Sequence, residues 1–209
     1  RYRLRGARAV GEEATLPAGG EAGGIGGERR GGEDAMLLLP EEELFCVADG
    51  MGGHASGEVA ARLAVEEMAE FFRLTGRDEE ATWPFKEDPA RSYDENRLLT
   101  AVKLANLRIH ERAESDPKLR GMGTTLVAAF FPEAGSDLLV AHVGDSRVYL
   151  LRGGGIRQLT EDHSLLNDYI KMKRLTEEEI ANFPHKNVIV RALGMKDSVK
   201  VDTMLDGPK

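Results

Sequence analysis

Leu44-Phe45-Cys46-Val47-Ala48-Asp49-Gly50-Met51-Gly52-Gly53-His54 is the stretch from which the fold can be read. Its apolar head, Leu44 to Val47, has the length and composition of a short buried strand. That strand runs into an acid followed by glycines. A carboxylate at the end of a buried strand is costly unless something compensates it, and a bound divalent cation is one such compensation. The glycines allow a sharp turn and let a backbone carbonyl approach a cation closely. Just upstream, Glu33-Asp34 precede another apolar run, Ala35-Met36-Leu37-Leu38-Leu39. Two acid-bearing strand segments in succession suggest a hairpin whose carboxylates converge, and hard oxygen donors of this kind suit magnesium or manganese rather than zinc. Taken singly, each piece has a plainer reading. Asp-Gly is among the commonest turn pairs, and Glu33-Asp34 alone would be a solvated loop. The remainder of the chain decides between these readings.

At 209 residues and 41% hydrophobic content, the chain is sized for one domain with a sizeable core. A net charge of -8 lacks the basic footprint that nonspecific nucleic-acid binding needs, and it suits an anionic membrane surface poorly. No apolar stretch approaches the length of a transmembrane helix, and no signal peptide is visible. The single cysteine, Cys46, lies within the apolar strand pattern and reads as core packing rather than a reactive thiol. These features predict a soluble, cytoplasmic chain or a cytoplasmic module of something larger, expected to be a monomer. The opening residue is Arg1, so the start is expected to be processed or cut from a longer chain.

Residues 11 to 32 are glycine-rich and without periodicity, and 11–28 is expected to be a flexible loop or insertion. Its G-x-G fragments lack the third glycine and the strand–turn–helix context of a dinucleotide-binding turn. From about Gly57 a helix is predicted, with Ala60, Leu63, Ala64, Met68, Phe71 and Phe72 on one face and Glu58 in its first turn. A loop over about 76 to 92 leads to a second helix, about Tyr93 to Ser115, with Leu98, Ala101, Val102, Ala105 and Ile109 inward and Asp116-Pro117 as its stop. Strands are then predicted over Thr124 to Phe131, Leu138 to Val143 and Ser146 to Leu151, with Gly153-Gly154-Gly155 turning into Ile156 to Leu159. Short helices around Ser164 to Lys173 and Glu177 to Phe183 follow, then candidate strands at Asn187 to Leu193 and Ser198 to Met204. A strand pair, two helices and several hairpin-linked strands favour an α+β layered domain built on antiparallel sheets over alternating βαβ units.

Six pieces now stand in one order. Arg29 is followed by Glu33-Asp34-Ala35. Next come Val47-Ala48-Asp49-Gly50-Met51-Gly52-Gly53-His54 with Gly57-Glu58, then Gly121-Met122-Gly123-Thr124-Thr125 and Val143-Gly144-Asp145-Ser146-Arg147-Val148-Tyr149. Leu159-Thr160-Glu161-Asp162-His163-Ser164 and Asn187-Val188-Ile189-Val190-Arg191-Ala192-Leu193-Gly194 complete the series. In this order they resemble the metal-dependent protein phosphatase family, also called the protein phosphatase 2C family, and the Asp-Gly-Met-Gly-Gly-His version looks like its bacterial branch. The resemblance covers about residues 28 to 209, within a single domain spanning 1–209 that is expected to be incomplete.

The resemblance implies a β-sandwich of two antiparallel sheets flanked by helix pairs, a four-layer αββα arrangement with a two-metal site at one end. It implies that Asp49 bridges two manganese or magnesium ions, that the Gly50 carbonyl binds one of them, and that Glu33 and Asp34 act mainly through water. Arg29 would hold the substrate phosphate, a task suited to a planar, permanently charged fork. The implied activity is hydrolysis of phosphoserine and phosphothreonine in proteins by an activated water, without a covalent intermediate. The partners implied are a Ser/Thr kinase and its substrates. No cysteine-phosphatase loop, G-x-S-x-G elbow or P-loop competes with this reading. His54 has two readings, a proton donor to the leaving alkoxide or a structural residue of the glycine turn, with the structural one preferred. Asp145 is read first as a turn carboxylate buttressing Arg147, with a metal site as the alternative. His163 is expected to fix a loop, and Thr124 and Thr125 to be strand residues without a direct chemical role. Lys171, Lys173 and Arg174 lie in the expected flap, Leu165 to Lys186, where they either guide acidic phosphosites or simply face solvent.

The match has departures. Gly32 stands where the family commonly has asparagine, and Met51 where many members outside the bacterial branch have histidine. Arg120 stands where some members carry an acid for a third ion, which leaves that position without its ligand. The chain stops at Leu205-Asp206-Gly207-Pro208-Lys209, before the family's later metal-binding aspartates, so its last strands and helix are expected to be missing. Two alternatives stay open: a non-catalytic regulatory module of the same fold, and a phosphatase acting on an anti-sigma-factor antagonist in a partner-switching system.

Overall fold

The computed structural model describes residues 33–77, 83–132, 137–173 and 175–207. The glycine-rich stretch, Arg29 and Arg174 lie outside the described residues. Strand β1 (Asp34–Leu39) passes through a short 3-10 turn at Pro40–Glu42 and pairs antiparallel with β2 (Leu44–Met51). This is the expected hairpin. Its second strand extends past the apolar run to include Asp49 and Gly50. Helix α1 (His54–Arg77) follows at once, starting three residues earlier than the sequence suggested. The Gly53 carbonyl already accepts from Ser56 and Gly57 N–H, at 2.9 Å each. Glu58 therefore lies beyond the first turn, in correction of the expectation.

Helix α2 (Tyr93–Ser115) has the predicted bounds. A capping box fixes its start, with the Ser92 side chain accepting from Glu95 N–H and the Glu95 carboxylate accepting from Ser92 N–H. The predicted strand Thr124 to Phe131 is broken at Thr125 into β3 (Gly123–Thr124) and β4 (Leu126–Phe130). Strand β5 (Leu138–Val143) matches its prediction, and β6 (Tyr149–Arg152) and β7 (Gly155–Gln158) form a hairpin about Gly153-Gly154. Two short helices, α3 (Leu165–Met172) and α4 (Glu177–Ala181), precede β8 (Asp202–Asp206).

The larger sheet runs β1-β2-β4-β5-β8, all antiparallel, with β3 paired to the far end of β2. Period-two alternation splits its side chains. Leu37, Leu39, Leu44, Cys46, Ala48, Leu126, Ala128, Leu139, Ala141 and Val143 share one core with α1 and α2, where Ala64, Met68, Phe72, Val102 and Ile109 are fully buried. Leu138 and Val140, on the opposite face, join Leu159 and are backed by Val148, Leu150 and Met204. The β6–β7 hairpin and its flanking residues thus pack on part of the sheet's second face through Val148, Leu150 and Leu159. Asp206 ties that hairpin to β8 through Arg157 and through Arg152 at 3.0 Å.

Residues 187–193 do not form a strand, contrary to expectation. Their N–H groups are spread over several neighbours: Val188 donates to His185, Val190 to His163 and Leu193 to Thr124. No single partner strand runs alongside. The segment is pinned where Gly194 N–H donates to Asn106 Oδ1 at 2.9 Å, and the turn there needs a glycine φ of 88°. The second candidate strand begins later than expected, at Asp202. Among the described residues, no helix is long and apolar enough to cross a membrane.

Candidate functional site

The open end of the β1–β2 hairpin gathers acids. Register places Asp34 directly across from Asp49, so their side chains leave the same face of the sheet. Gly50 N–H donates to the Glu33 carbonyl at 3.1 Å, which brings Glu33 to the same end. Asp145 follows β5 and approaches from the other side. Its charge, with those of Asp34 and Glu33, acts on Asp49. Burial, these charges and a hydrogen bond shared with Asp34 all push the Asp49 carboxyl upward, to about 6. The Asp145 carboxyl is raised as well, by burial and by Asp162, against a backbone hydrogen bond and Arg147.

The backbone around Asp49 is held from a distance in sequence. Asp49 N–H donates to Thr125 Oγ1 at 3.1 Å, and Thr125 N–H donates to the Asp49 carbonyl at 2.9 Å. Thr125 Oγ1 also lies 2.6 Å from Ser146 Oγ, in the turn that carries Asp145. Nothing in the sequence pattern, which reads as an unbroken strand, signals this role of Thr125; the break there is visible only in the structure. Gly50 and Gly57 are a close backbone contact. A Cβ on Gly50 would sit 2.1 Å from the Gly57 carbonyl oxygen and 2.6 Å from that of Glu33. A Cβ on Gly57 would meet the Glu33 carboxylate at 2.9 Å. Gly52 and Gly53, with φ of 114° and 92°, make the turn into α1. His54 is the first residue of that helix.

Arg147 is not buttressed by Asp145. It forks onto Asp162 at 2.8 and 2.5 Å and also donates to the Tyr149 hydroxyl. The bonded partner of Arg147 is therefore Asp162, in correction of the first reading, while Arg147 acts on Asp145 through its charge alone. A cavity of about 280 Å³ opens beside it, bounded by Asp145, Arg147, Asp162, Ser164, Lys186 and Asn187. Lys171, on α3, pairs with Glu161 at 3.0 Å. Burial pushes the Cys46 thiol far up, which removes it as a nucleophile at neutral pH.

Chemically, the hairpin end offers carboxylates and close backbone carbonyls. That donor set fits hard divalent cations. Carboxylates that raise one another's proton affinity are the electrostatic counterpart of a missing positive charge.

Comparison with known proteins agrees with this geometry. Residues 32–207 match the sequence profile of the family described as "Protein phosphatase 2C". The serine/threonine phosphatase stp of Listeria welshimeri is 40% identical over 168 residues, covering 78% of this chain and 60% of that protein. The chain thus spans about 60% of the length of that curated relative. The crystal structure of the Mycobacterium tuberculosis serine/threonine phosphatase PstP/Ppp superposes with a TM-score of 0.67 at 34% identity, over 89% of this chain and 71% of that one. A structure of the PstP catalytic domain in complex with two manganese ions superposes at 0.63, with 34% identity, over 89% and 70% of the respective chains.

Proposed function

The chain belongs to the protein phosphatase 2C family, and from that premise we propose that it acts as a metal-dependent protein serine/threonine phosphatase. Its substrates would be phosphoserine and phosphothreonine in proteins, and its counterpart a Ser/Thr kinase. The observation that carries this reading is the Asp34–Asp49 pair set by strand register, with the charges of Glu33 and Asp145 also acting on Asp49 and its carboxyl pushed up to about 6. Asp49, Asp34, the Gly50 carbonyl and, mainly through water, Glu33 would hold two manganese or magnesium ions. When bound, such ions supply charge compensation for a phosphate monoester and a water acidic enough to react at neutral pH.

The chain's own residues supply position. Strand register sets the Asp34–Asp49 pair, Thr125 fixes the Asp49 backbone from both its N–H and its carbonyl, and Gly57 leaves room for the Glu33 carboxylate. Arg29 would grip the phosphate, with His54 and Asp145 in supporting roles. The cavity beside Asp145 gives the peptide flanking the phosphoresidue a place to lie, and Lys186 at its wall favours acidic flanking residues. Lys173 would extend that preference along the flap. A buried, protonated Cys46 leaves attack to water rather than to a thiol.

The test is phosphate release from a phosphothreonine peptide with manganese, with chelator, and with Asp49→Asn. Turnover should require manganese and vanish in the variant, while the variant stays folded because it loses a repulsive charge. Turnover that survives chelation or the substitution would overturn the proposal. Manganese binding without turnover would instead favour a non-catalytic module of the same fold.

A further inference from the structure

Behind the acidic cluster lies a second group of titratable side chains. His142, His163 and Asp202 place ligand-type atoms within 4.8 Å of one another, and both imidazoles are buried. Their hydrogen bonding argues against a cation there. Gly144 N–H donates to His163 Nδ1 at 3.0 Å, so that nitrogen is an acceptor and the ring proton sits on Nε2. Nε2–H then donates to Asp202 Oδ2 at 3.0 Å. His142 Nε2 lies 2.8 Å from the Glu161 carbonyl, an acceptor, and so is a donor as well. The Arg191 guanidinium donates to Asp202 Oδ1 at 3.0 Å; its 2.9 Å approach to His163 Nε2, which carries the ring proton, sets two donors side by side and is not a hydrogen bond. The His163 lone pair is taken by Gly144 N–H, and a permanent cation already neutralises the Asp202 carboxylate. The group is a clamp, not a metal centre.

What it clamps is the turn beside the site. His163 N–H donates to the Gly144 carbonyl at 2.9 Å, so His163 and Gly144 exchange two hydrogen bonds. On its other side Gly144 presses on Thr125, and with its φ of 107° a Cβ there would lie 2.6 Å from Thr125 Cγ2. Ser146, two residues on, meets the Thr125 hydroxyl, and Thr125 holds the Asp49 backbone. We propose that His163, oriented by Asp202, which Arg191 holds in turn, is a positioning residue that sets the Gly144–Ser146 turn and, through Thr125, the placement of Asp49. As far as it concerns metal binding, this rests on the phosphatase reading above. The chain of contacts itself does not.

The test compares His163→Asn with His163→Gln. Asparagine can place its amide oxygen near the Nδ1 position and accept from Gly144, whereas glutamine reaches toward the Nε2 position and cannot. Amide hydrogen exchange followed by NMR should show Gly144 and Asp49 protected in the native chain and in His163→Asn, and exchanging about tenfold faster in His163→Gln. Manganese titration should show an affinity about 10–100-fold weaker for His163→Gln, largely restored in His163→Asn. Equal protection at Asp49 in both variants, or equal manganese affinity where the native chain binds manganese, would overturn the proposal. If the native chain binds no manganese, the phosphatase reading fails, and exchange at Asp49 still decides on the positioning role.

Discussion

Gly50→Ala isolates the role of backbone contact at the site. Gly50 has no positive φ, so alanine meets no conformational penalty there and the effect is steric. Its Cβ would fall 2.1 Å from the Gly57 carbonyl oxygen and 2.6 Å from the Glu33 carbonyl oxygen. Retreat to a tolerable 3.0 Å requires about 0.9 Å of movement at Gly57 and about 0.4 Å at Glu33. Neither carbonyl is free to move. Glu33 accepts from Gly50 N–H at 3.1 Å, and Gly57 N–H is bound to Gly53 at 2.9 Å in the first turn of α1. Overpacking of this kind costs about 3 kcal/mol, which lowers Tm by roughly 6–12 °C in a chain of this size. Metal coordination tolerates only about 0.2 Å of ligand displacement, so manganese binding should be lost outright. Gly53→Ala is the control. It has open space around the Cβ but a φ of 92°, so it carries backbone strain of about 1–3 kcal/mol and no steric conflict. Thermal melts with and without manganese read both effects. The native chain and Gly53→Ala should gain stability with the ion, about 2.7 kcal/mol at a hundredfold excess over Kd, and Gly50→Ala should gain none. A manganese-induced rise in Gly50→Ala equal to the native one would refute the claim that this contact shapes the site.

Arg97→Ala should destabilise by about 3–5 kcal/mol in urea melts, because it strands the half-buried Glu42 carboxylate and removes donors to Thr75 Oγ1 and the Phe72 carbonyl; a loss under 1 kcal/mol would contradict that reading. Stability without metal should carry opposing pH dependences, separable in Asp49→Asn and His163→Asn. Burial, with Arg191 and His142, holds the His163 pKa below its ordinary value, so its contribution is present above about pH 6.5 and declines as pH falls below it. Asp49, raised to about 6, stabilises the fold when protonated, so its contribution is lost as pH rises from about 4 through 6. Each variant should remove its own limb of the profile, and an unchanged profile would exclude that residue. Thiol reagents should modify Cys46 only on unfolding, because it is 2% exposed and its thiol is pushed far up by burial; rapid labelling of the folded chain would count against the core placement.

The local parts of this fold were legible in the sequence for local reasons. Two apolar runs with acids beside them in 33–51 suffice for the hairpin, while its Asp34–Asp49 register comes from the structure. The Asp116-Pro117 stop marks the end of α2, and the capping box that fixes its start is local as well, between Ser92 and Glu95. The start of α1 was placed late because Gly52-Gly53 read as turn residues, with nothing to show that the Gly53 carbonyl already serves the helix. Errors cluster where the deciding partner is remote. Residues 187–193 are as apolar as a strand, yet their hydrogen bonds are divided between β3 at Thr124 and loop residues such as His163 and His185. Arg147 has an acid two residues before it and instead forks onto Asp162, 15 positions on and past the end of β7. Thr125 looked like any strand threonine until its hydroxyl was found on the Asp49 N–H, 76 positions away.

That division has an electrostatic logic. A cluster of like charges at the end of a hairpin cannot be stabilised by the hairpin that carries it, since its members raise one another's pKa. Without an ion, the fold must hold these carboxylates together by bonds made elsewhere. The supports visible here are neutral or internally compensated and lie away from the acids: Thr125 with Ser146, His163 with Gly144, and Asn106 with Gly194. Asp202 and Arg191 complete the set, and burial, which would raise the Asp202 pKa, is outweighed by the hydrogen bond from His163 and the Arg191 charge. None of these supports adds a cation that would compete with a metal for Asp49. A lysine or arginine introduced against Asp49 would relieve the repulsion and stabilise the chain, and it would occupy the charge deficit that a divalent ion needs. The strain at the hairpin end and its capacity for metal are therefore the same property, and substitutions that relieve one should diminish the other.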